Sequence, residues 1–281
     1  MRGPFNLDGL RRTMEQAQQR MAQRDHSGAG ALLTVSLLIV VLGIVLALTT
    51  GGYRGGFEAA QHIAHGLLPD QLWVWITRFG DGNVLFVLSL LWARRRPEVF
   101  WTLIIAAVIG GLWSRGLKIG FDELRPPAVL AAEQLRVIGP SLRRHSFPSG
   151  HTLSAFLFAG VLFAYCRSWS LRLLLLGAAA LVGFSRVALG VHWPQDVLAG
   201  AFSGLMVAGL AAWIAQFWRA GLRPGVHLAL LILPLIAMIL LLAGDNGNPS
   251  APGLVLVVIL IGLITLGRDY RDLVAPALKG R

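Results

Sequence analysis

Eight stretches of this chain are long and apolar enough to constrain everything else about it: residues 31–50, 72–93, 99–117, 151–167, 172–190, 196–218, 226–243 and 252–267. A membrane-crossing helix needs about 20 mostly apolar residues, and each stretch meets that length at least roughly. The second is interrupted by Arg78 and Asp81, which either pair or mark a later helix start. Only 14% of the 281 residues are charged, against about 25% in an ordinary soluble domain. The expected fold is therefore all-α, a polytopic membrane helix bundle, rather than a soluble enzyme with a large core.

Charge sets the orientation. The formal net charge is +11, and all basic residues but Lys118 and Lys279 are arginine. No basic stripe alternates with aromatics outside the apolar runs, so nucleic acid is not an expected partner. The arginines instead fall in every second connection: Arg2, Arg11, Arg12, Arg20 and Arg24 before the first run, then Arg94–Arg96, Arg167 and Arg172, Arg219 and Arg223, and finally Arg268, Arg271, Lys279 and Arg281. Short basic connections stay in the cytoplasm, which puts both termini there. Segments 51–71, 118–150, 191–195 and 244–251 fall on the other side. The second of these is rich in arginine, against the rule, and needs another explanation. No cleavable signal sequence is expected, because the first 30 residues are polar and the first apolar run reads as a retained span. The single cysteine, Cys166, excludes an intramolecular disulfide and reads as a buried structural thiol. Before the first run, Leu7, Leu10, Met14, Ala17 and Met21 recur at helical spacing, as in an amphipathic helix at the cytoplasmic interface; a disordered charged tail is the other reading.

Three polar clusters share the non-cytoplasmic side. They are KIGFDELRPP (118–127), RRHSFPSGHT (143–152) and FSRVALGVHWPQDVLAG (184–200). Asp196 is isolated in the last: the preceding acid is Glu133 and the next is Asp245. Lys118, Arg125 and Arg186 bring three cations with few acids nearby, and guanidinium forks match phosphate oxygens. Pro148-Ser149-Gly150-His151 opens a helix, where backbone N–H groups favour an anion, Gly150 permits close approach and Ser149 offers a hydroxyl. These features make a phosphate socket.

Two histidines complete the chemistry. A neutral imidazole can attack phosphorus and form a covalent intermediate, provided a carboxylate holds its other nitrogen. Asp196 follows His192 by four residues, about one helical turn. His151 can then give a proton to the leaving oxygen and later activate water. Taken singly, Asp196 reads as a helix N-cap, His192 as an interfacial histidine and Arg186 as a snorkelling side chain. None of these explains why all three clusters share one face. A metal is not expected, since three cations would oppose a divalent ion and no HExxH or cysteine cluster is present.

The clusters resemble the signature of the type 2 phosphatidic acid phosphatase superfamily, related to vanadium-dependent haloperoxidases: KxxxxxxRP, PSGH and SRxxxxxHxxxD. They match at Lys118–Pro126, Pro148–His151 and Ser185–Asp196. The resemblance implies a six-helix phosphatase core, here residues 31–218, with residues 219–281 an additional two-span hairpin and tail and 1–30 a separate N-terminal segment. It implies phosphate binding by Lys118, Arg125, Ser149, Gly150 and Arg186, attack by His192 oriented by Asp196, and protonation by His151. No metal or cofactor is implied, and vanadate should inhibit. The expected activity is hydrolysis of a lipid phosphate or diphosphate, undecaprenyl diphosphate favoured, at the outer face of the bacterial cytoplasmic membrane. A lipid phosphotransferase and a non-catalytic lipid-binding or transport protein are the alternatives. Asp122 and Glu123 read only as loop charges or as groups that tune the site.

Overall fold

A computed structural model describes residues 7–23, 27–244 and 249–278. Arg2, Arg24, Lys279, Arg281 and residues 245–248 of the expected outer connection lie outside the described residues. In chain order the helices are α1 (Asp8–Ala22), α2 (Ser27–Thr50), α3 (Phe57–Leu67), α4 (Asp70–Arg78), α5 (Gly82–Ala93), α6 (Pro97–Phe121), the single turn α7 (Pro126–Val129), α8 (Gly150–Tyr165), α9 (Trp169–Ala188), α10 (Pro194–Phe217), α11 (Pro224–Leu230), α12 (Ile232–Ala243) and α13 (Pro252–Leu278). No strand occurs among the described residues.

Local chemistry sets the helix starts. Proline occupies the first turn of α6, α10 and α11, where its missing N–H costs nothing. Asp81, Ser149 and Ser168 cap α5, α8 and α9 by accepting a backbone N–H two or three residues on, which satisfies donors the helix leaves free.

Every expected apolar run is helical. Six helical segments are long and apolar enough to cross a membrane, and α4 with α5 forms a seventh candidate bent by 58°. The bend falls where the sequence shows Arg78 and Asp81. Those side chains pair at 3.6 Å, and a buried arginine needs that carboxylate more than the span needs straightness. Helix α8 is only 16 residues, roughly 24 Å long, which is shorter than the hydrocarbon core of a bilayer.

Helix α1 forms, but its apolar face does not lie on lipid. Leu10, Met14, Ala17 and Met21 are buried in the same core as Phe100, Leu103 and Leu222. Glu98, itself 1% exposed, takes Arg20 Nε and Nη2 at 2.8 and 2.9 Å and Arg96 Nε at 2.7 Å. Helix α1 is thereby packed into the bundle. At the other end of the chain, α12 and α13 both pack on α5, through Met238, Leu241, Val255 and Val258 against Val84, Val87 and Leu90. Cys166 is half-buried at the end of α8 rather than buried, with its thiol on the Ser168 carbonyl at 3.6 Å.

The tightest packing is between α8 and α10. A Cβ at Gly204 would stand 2.5 Å from the Leu153 carbonyl oxygen, and one at Gly200 would stand 2.7 Å from that of Ser149. Only glycine allows these backbones so close. The contact fixes the first turn of α8 against the first turns of α10. Helices α6 and α9 end where α8 and α10 begin, so four helix ends meet at one end of the bundle.

Candidate active site

Each of the three polar clusters occupies one of these ends. Lys118 lies in the last turn of α6, Ser149 to His151 start α8, Arg186 lies in the last turn of α9, and His192 and Asp196 flank the start of α10. Arg125 comes from the connection after α6. All eight expected site residues are brought together: Lys118, Arg125, Arg186 and His151 lie within electrostatic reach of the His192 ring, Asp196 and Arg125 contact that ring directly, and Ser149 and Gly150 adjoin Asp196 and Lys118.

The histidine tautomer follows from its partners. His192 Nε2 is 3.2 Å from Arg125 Nη1, and Nδ1 is 3.2 Å from Asp196 Oδ2. A guanidinium has donors only, so Nε2 must carry the lone pair and Nδ1 the hydrogen. Burial of the ring, followed by the charges of Arg125, Arg186, Lys118 and His151, holds the imidazole pKa well below its ordinary value. The ring is neutral, with its Nε2 lone pair, which accepts from Arg125, on the side where the cations gather.

Asp196 is wholly buried and fully engaged. Oδ2 accepts from His192 Nδ1, from the Trp193 backbone N–H at 2.9 Å and from the Ser146 hydroxyl; Oδ1 accepts from the Tyr53 phenol. It stands in the first turn of α10 and closes a capping box on Trp193, so it is not itself the N-cap. Capping and orienting His192 are done by the same carboxylate.

The connection after α6 aims the cations. Asp122, in a left-handed conformation (φ 40°) at the end of α6, pairs with Arg144 and with His145 Nδ1 at 3.1 Å. The Glu123 carbonyl accepts the Ser146 N–H at 2.9 Å. The loop so anchored turns its carbonyls inward: Arg144 O accepts Arg125 Nε at 2.9 Å, and His145 O accepts Lys118 Nζ at 3.1 Å. Two of the arginines in this connection, Arg125 and Arg144, are thus held in the cluster and its support.

Ser149 behaves differently from a free phosphate donor. Its hydroxyl accepts from Thr152 Oγ1 at 2.8 Å as the cap of α8, leaving its own hydrogen to give, and its N–H donates to the Asp196 carbonyl at 3.0 Å. At Gly150, an added Cβ would lie 4.0 Å from Lys118 Cε. It would clash with nothing, but it would fill the space beside the lysine. Arg186, buried, gives Nη1 to the Thr77 hydroxyl at 2.6 Å.

Tyr53, Ser146 and Thr77 were not legible as site residues. Tyr53 sits in the glycine-rich turn TGGYRGG and Thr77 beside the α4–α5 break, with no fixed spacing to the motifs; an aromatic in an otherwise plain turn is the signal that remains. Beside the motifs lies a cavity of about 510 Å³ between α5, α6 and α8. Lys118, Gly150 and His151 line one end and mostly apolar side chains line the rest, an arrangement that can take an anionic head and an apolar tail together.

A family model described as the PAP2 superfamily matches residues 98–220. The undecaprenyl-diphosphatase of Sulfolobus acidocaldarius is 30% identical over 184 residues, covering 63% of this chain and 88% of that protein. The chain belongs to the PAP2 superfamily. Similarity extends to the undecaprenyl-diphosphatase BcrC of Bacillus subtilis, 27% identical over 181 residues (63% of this chain, 89% of that one). It also extends to the lipid A 1-phosphatase of Porphyromonas gingivalis, 34% identical over 112 residues (39% of this chain, 22% of that one). This PAP2 protein is a multi-pass membrane phosphatase, and the match from 98 to 220 contains all three motifs.

Proposed function

We propose that the protein removes the terminal phosphate of a lipid diphosphate, undecaprenyl diphosphate first among candidates, through a phosphohistidine on His192. The observation that carries this reading is the His192 ring: neutral, hydrogen-bonded to a buried carboxylate through Nδ1, and presenting Nε2 to a cluster of cations. A lone pair aimed into a phosphate-binding space is what an in-line attack on phosphorus needs.

Arg125 takes two roles in sequence. Without substrate it donates to Nε2. A bound phosphoryl oxygen accepts that N–H instead, and Nε2 is released to attack. Lys118 and Arg186 neutralise the remaining oxygens, on which charge builds in the transition state. His151 gives its proton to the leaving oxygen, then takes one from the water that cleaves the P–N bond. The oxygen-specific part of recognition ends there; the apolar cavity holds the first part of the lipid tail. The two undecaprenyl-diphosphatases similar to most of their length support the diphosphate reading. The arginine asymmetry supports a site on the non-cytoplasmic face, with residues 31–218 as the catalytic core.

Phosphate release from undecaprenyl diphosphate by purified protein tests this. His192→Ala should abolish release, by roughly 10⁴-fold or more, while His62→Ala, at an exposed position of α3, should leave it intact. Full activity in His192→Ala would refute the mechanism.

A further inference from the structure

The cavity beside the motifs contains a cation that no motif includes. Arg115 lines it together with Lys118. The two stand three residues apart in α6, on the same face, about 4.5 Å apart along the axis. Helix α6 ends at the site, so Arg115 is one turn deeper, toward the apolar wall of Leu103, Ile104, Leu157 and Phe158. The one acid in the lining, Asp81, is already matched: it pairs with Arg78 and accepts the Asn83 N–H at 2.9 Å. The cavity's volume, about 510 Å³, is in the usual range for a ligand pocket, roughly 300–1,000 Å³.

We propose that Arg115 forms a second phosphate subsite, which holds the lipid-linked phosphate of a diphosphate on an apolar chain while the motif cations hold the terminal one. This rests on the reading of His192 given above and extends it to selectivity. The order of groups along such a lipid is terminal phosphate, bridging oxygen, second phosphate, apolar chain. The order from the His192 cluster inward is the motif cations, of which Lys118 lines the end of the cavity, then Arg115, then the apolar wall. The two orders coincide.

The chemistry gives Arg115 work that a phosphomonoester would not. His192 Nε2 forms a bond to the terminal phosphorus, and the bond from that phosphorus to the bridging oxygen breaks. Its electron pair stays on the bridging oxygen, where negative charge builds in the transition state until His151 gives that oxygen its proton, so the leaving group is a lipid monophosphate. A guanidinium on that phosphate binds the diphosphate and stabilises the departing charge. Water then attacks the phosphohistidine, the P–N bond breaks, inorganic phosphate leaves, and the proton given up by water goes to His151. With a phosphomonoester the leaving oxygen is bonded to carbon, and Arg115 has no second phosphate to hold.

The test compares the wild-type full chain, Arg115→Gln and Arg115→Lys on a polyprenyl diphosphate and the matching polyprenyl monophosphate, reading kcat/KM from phosphate release. Arg115→Gln should lower kcat/KM for the diphosphate by about tenfold or more and leave the monophosphate within about twofold, with Arg115→Lys recovering part of the loss. Activity on the monophosphate doubles as the control for folding. Equal losses on both lipids in Arg115→Gln and Arg115→Lys, or no loss on the diphosphate, overturns the subsite. Wild-type protein that releases phosphate from neither lipid refutes the underlying reading instead, and the subsite with it.

Discussion

Tyr53 donates its phenolic hydrogen to Oδ1 of Asp196, bridging 143 positions of sequence. Burial, then the neighbouring Asp196 charge, raises the phenol's pKa above its ordinary value, so Tyr53 remains a donor at any working pH. In the proposed mechanism it is a positioning residue, because its hydroxyl is bonded to the carboxylate that holds His192 Nδ1. Tyr53→Phe keeps the ring contact with Phe147, whose centroid is 6.3 Å away, and removes only the donor. A hydrogen bond to a charged group contributes about 1.5–3 kcal/mol. The variant should therefore lose roughly tenfold or more in kcat with KM little changed. A rise in KM at constant kcat would show that Tyr53 acts on binding.

The His192 imidazole should resist protonation. A depressed pKa means that proton uptake requires more acid, so the neutral ring persists as pH falls through the ordinary value of 6.5 and is lost only well below it. Nitrogen-15 NMR of histidine-labelled protein reads this directly, without the ionisation of the substrate entering. Between pH 7 and 6 the His192 signals should stay those of the neutral ring with hydrogen on Nδ1. Conversion to imidazolium near pH 6.5 would contradict both the burial and the charge argument.

How much of this was readable from sequence depends on what kind of interaction fixed each part. The motif residues were legible because each motif ends at a helix end and carries chemistry that an apolar run does not need. The break between α4 and α5 was signalled by Arg78 and Asp81, since charge inside a span demands a partner. The fate of α1 was not legible, because an apolar stripe such as Leu10, Met14, Ala17 and Met21 looks the same whether lipid or protein covers it. What decides is Glu98, a buried acid 78 residues beyond Arg20. Tyr53 and Thr77 reach the site through single hydroxyls held by tertiary packing, and no local period records such a contact.

The glycines where α8 meets α10 give a stability prediction with an internal control. In Gly204→Ala the new methyl meets the Leu153 carbonyl oxygen at 2.5 Å and the Leu157 nitrogen at 2.8 Å. These are backbone atoms that cannot rotate away. Overpacking of this kind costs about 1–3 kcal/mol. At Gly209, on the same helix, nothing lies within 4 Å of an added Cβ, and alanine favours helix over glycine by roughly 1 kcal/mol. Thermal unfolding in detergent should show a lower Tm for Gly204→Ala and an equal or higher one for Gly209→Ala. Equal Tm values for wild type and Gly204→Ala would mean that the two helices do not meet as described.

The face on which the site opens can be read from the connection before α13. Ala251 is buried with Leu189 and Val191, and Pro249 Cγ would stand 2.8 Å from a Cβ at Gly139. Ser250, exposed between them in sequence, therefore shares the end of the bundle that holds His192. Ser170, exposed in the first turn of α9, marks the opposite end, where Arg94 pairs with Asp272 at 2.7 Å. Basic connections stay in the cytoplasm. In a Cys166→Ser background, Ser250→Cys should react with a membrane-impermeant maleimide on intact cells, and Ser170→Cys only after the membrane is broken. The reverse pattern would turn the bundle over, move the site to the cytoplasmic side and limit its substrates to lipids whose phosphates face inward.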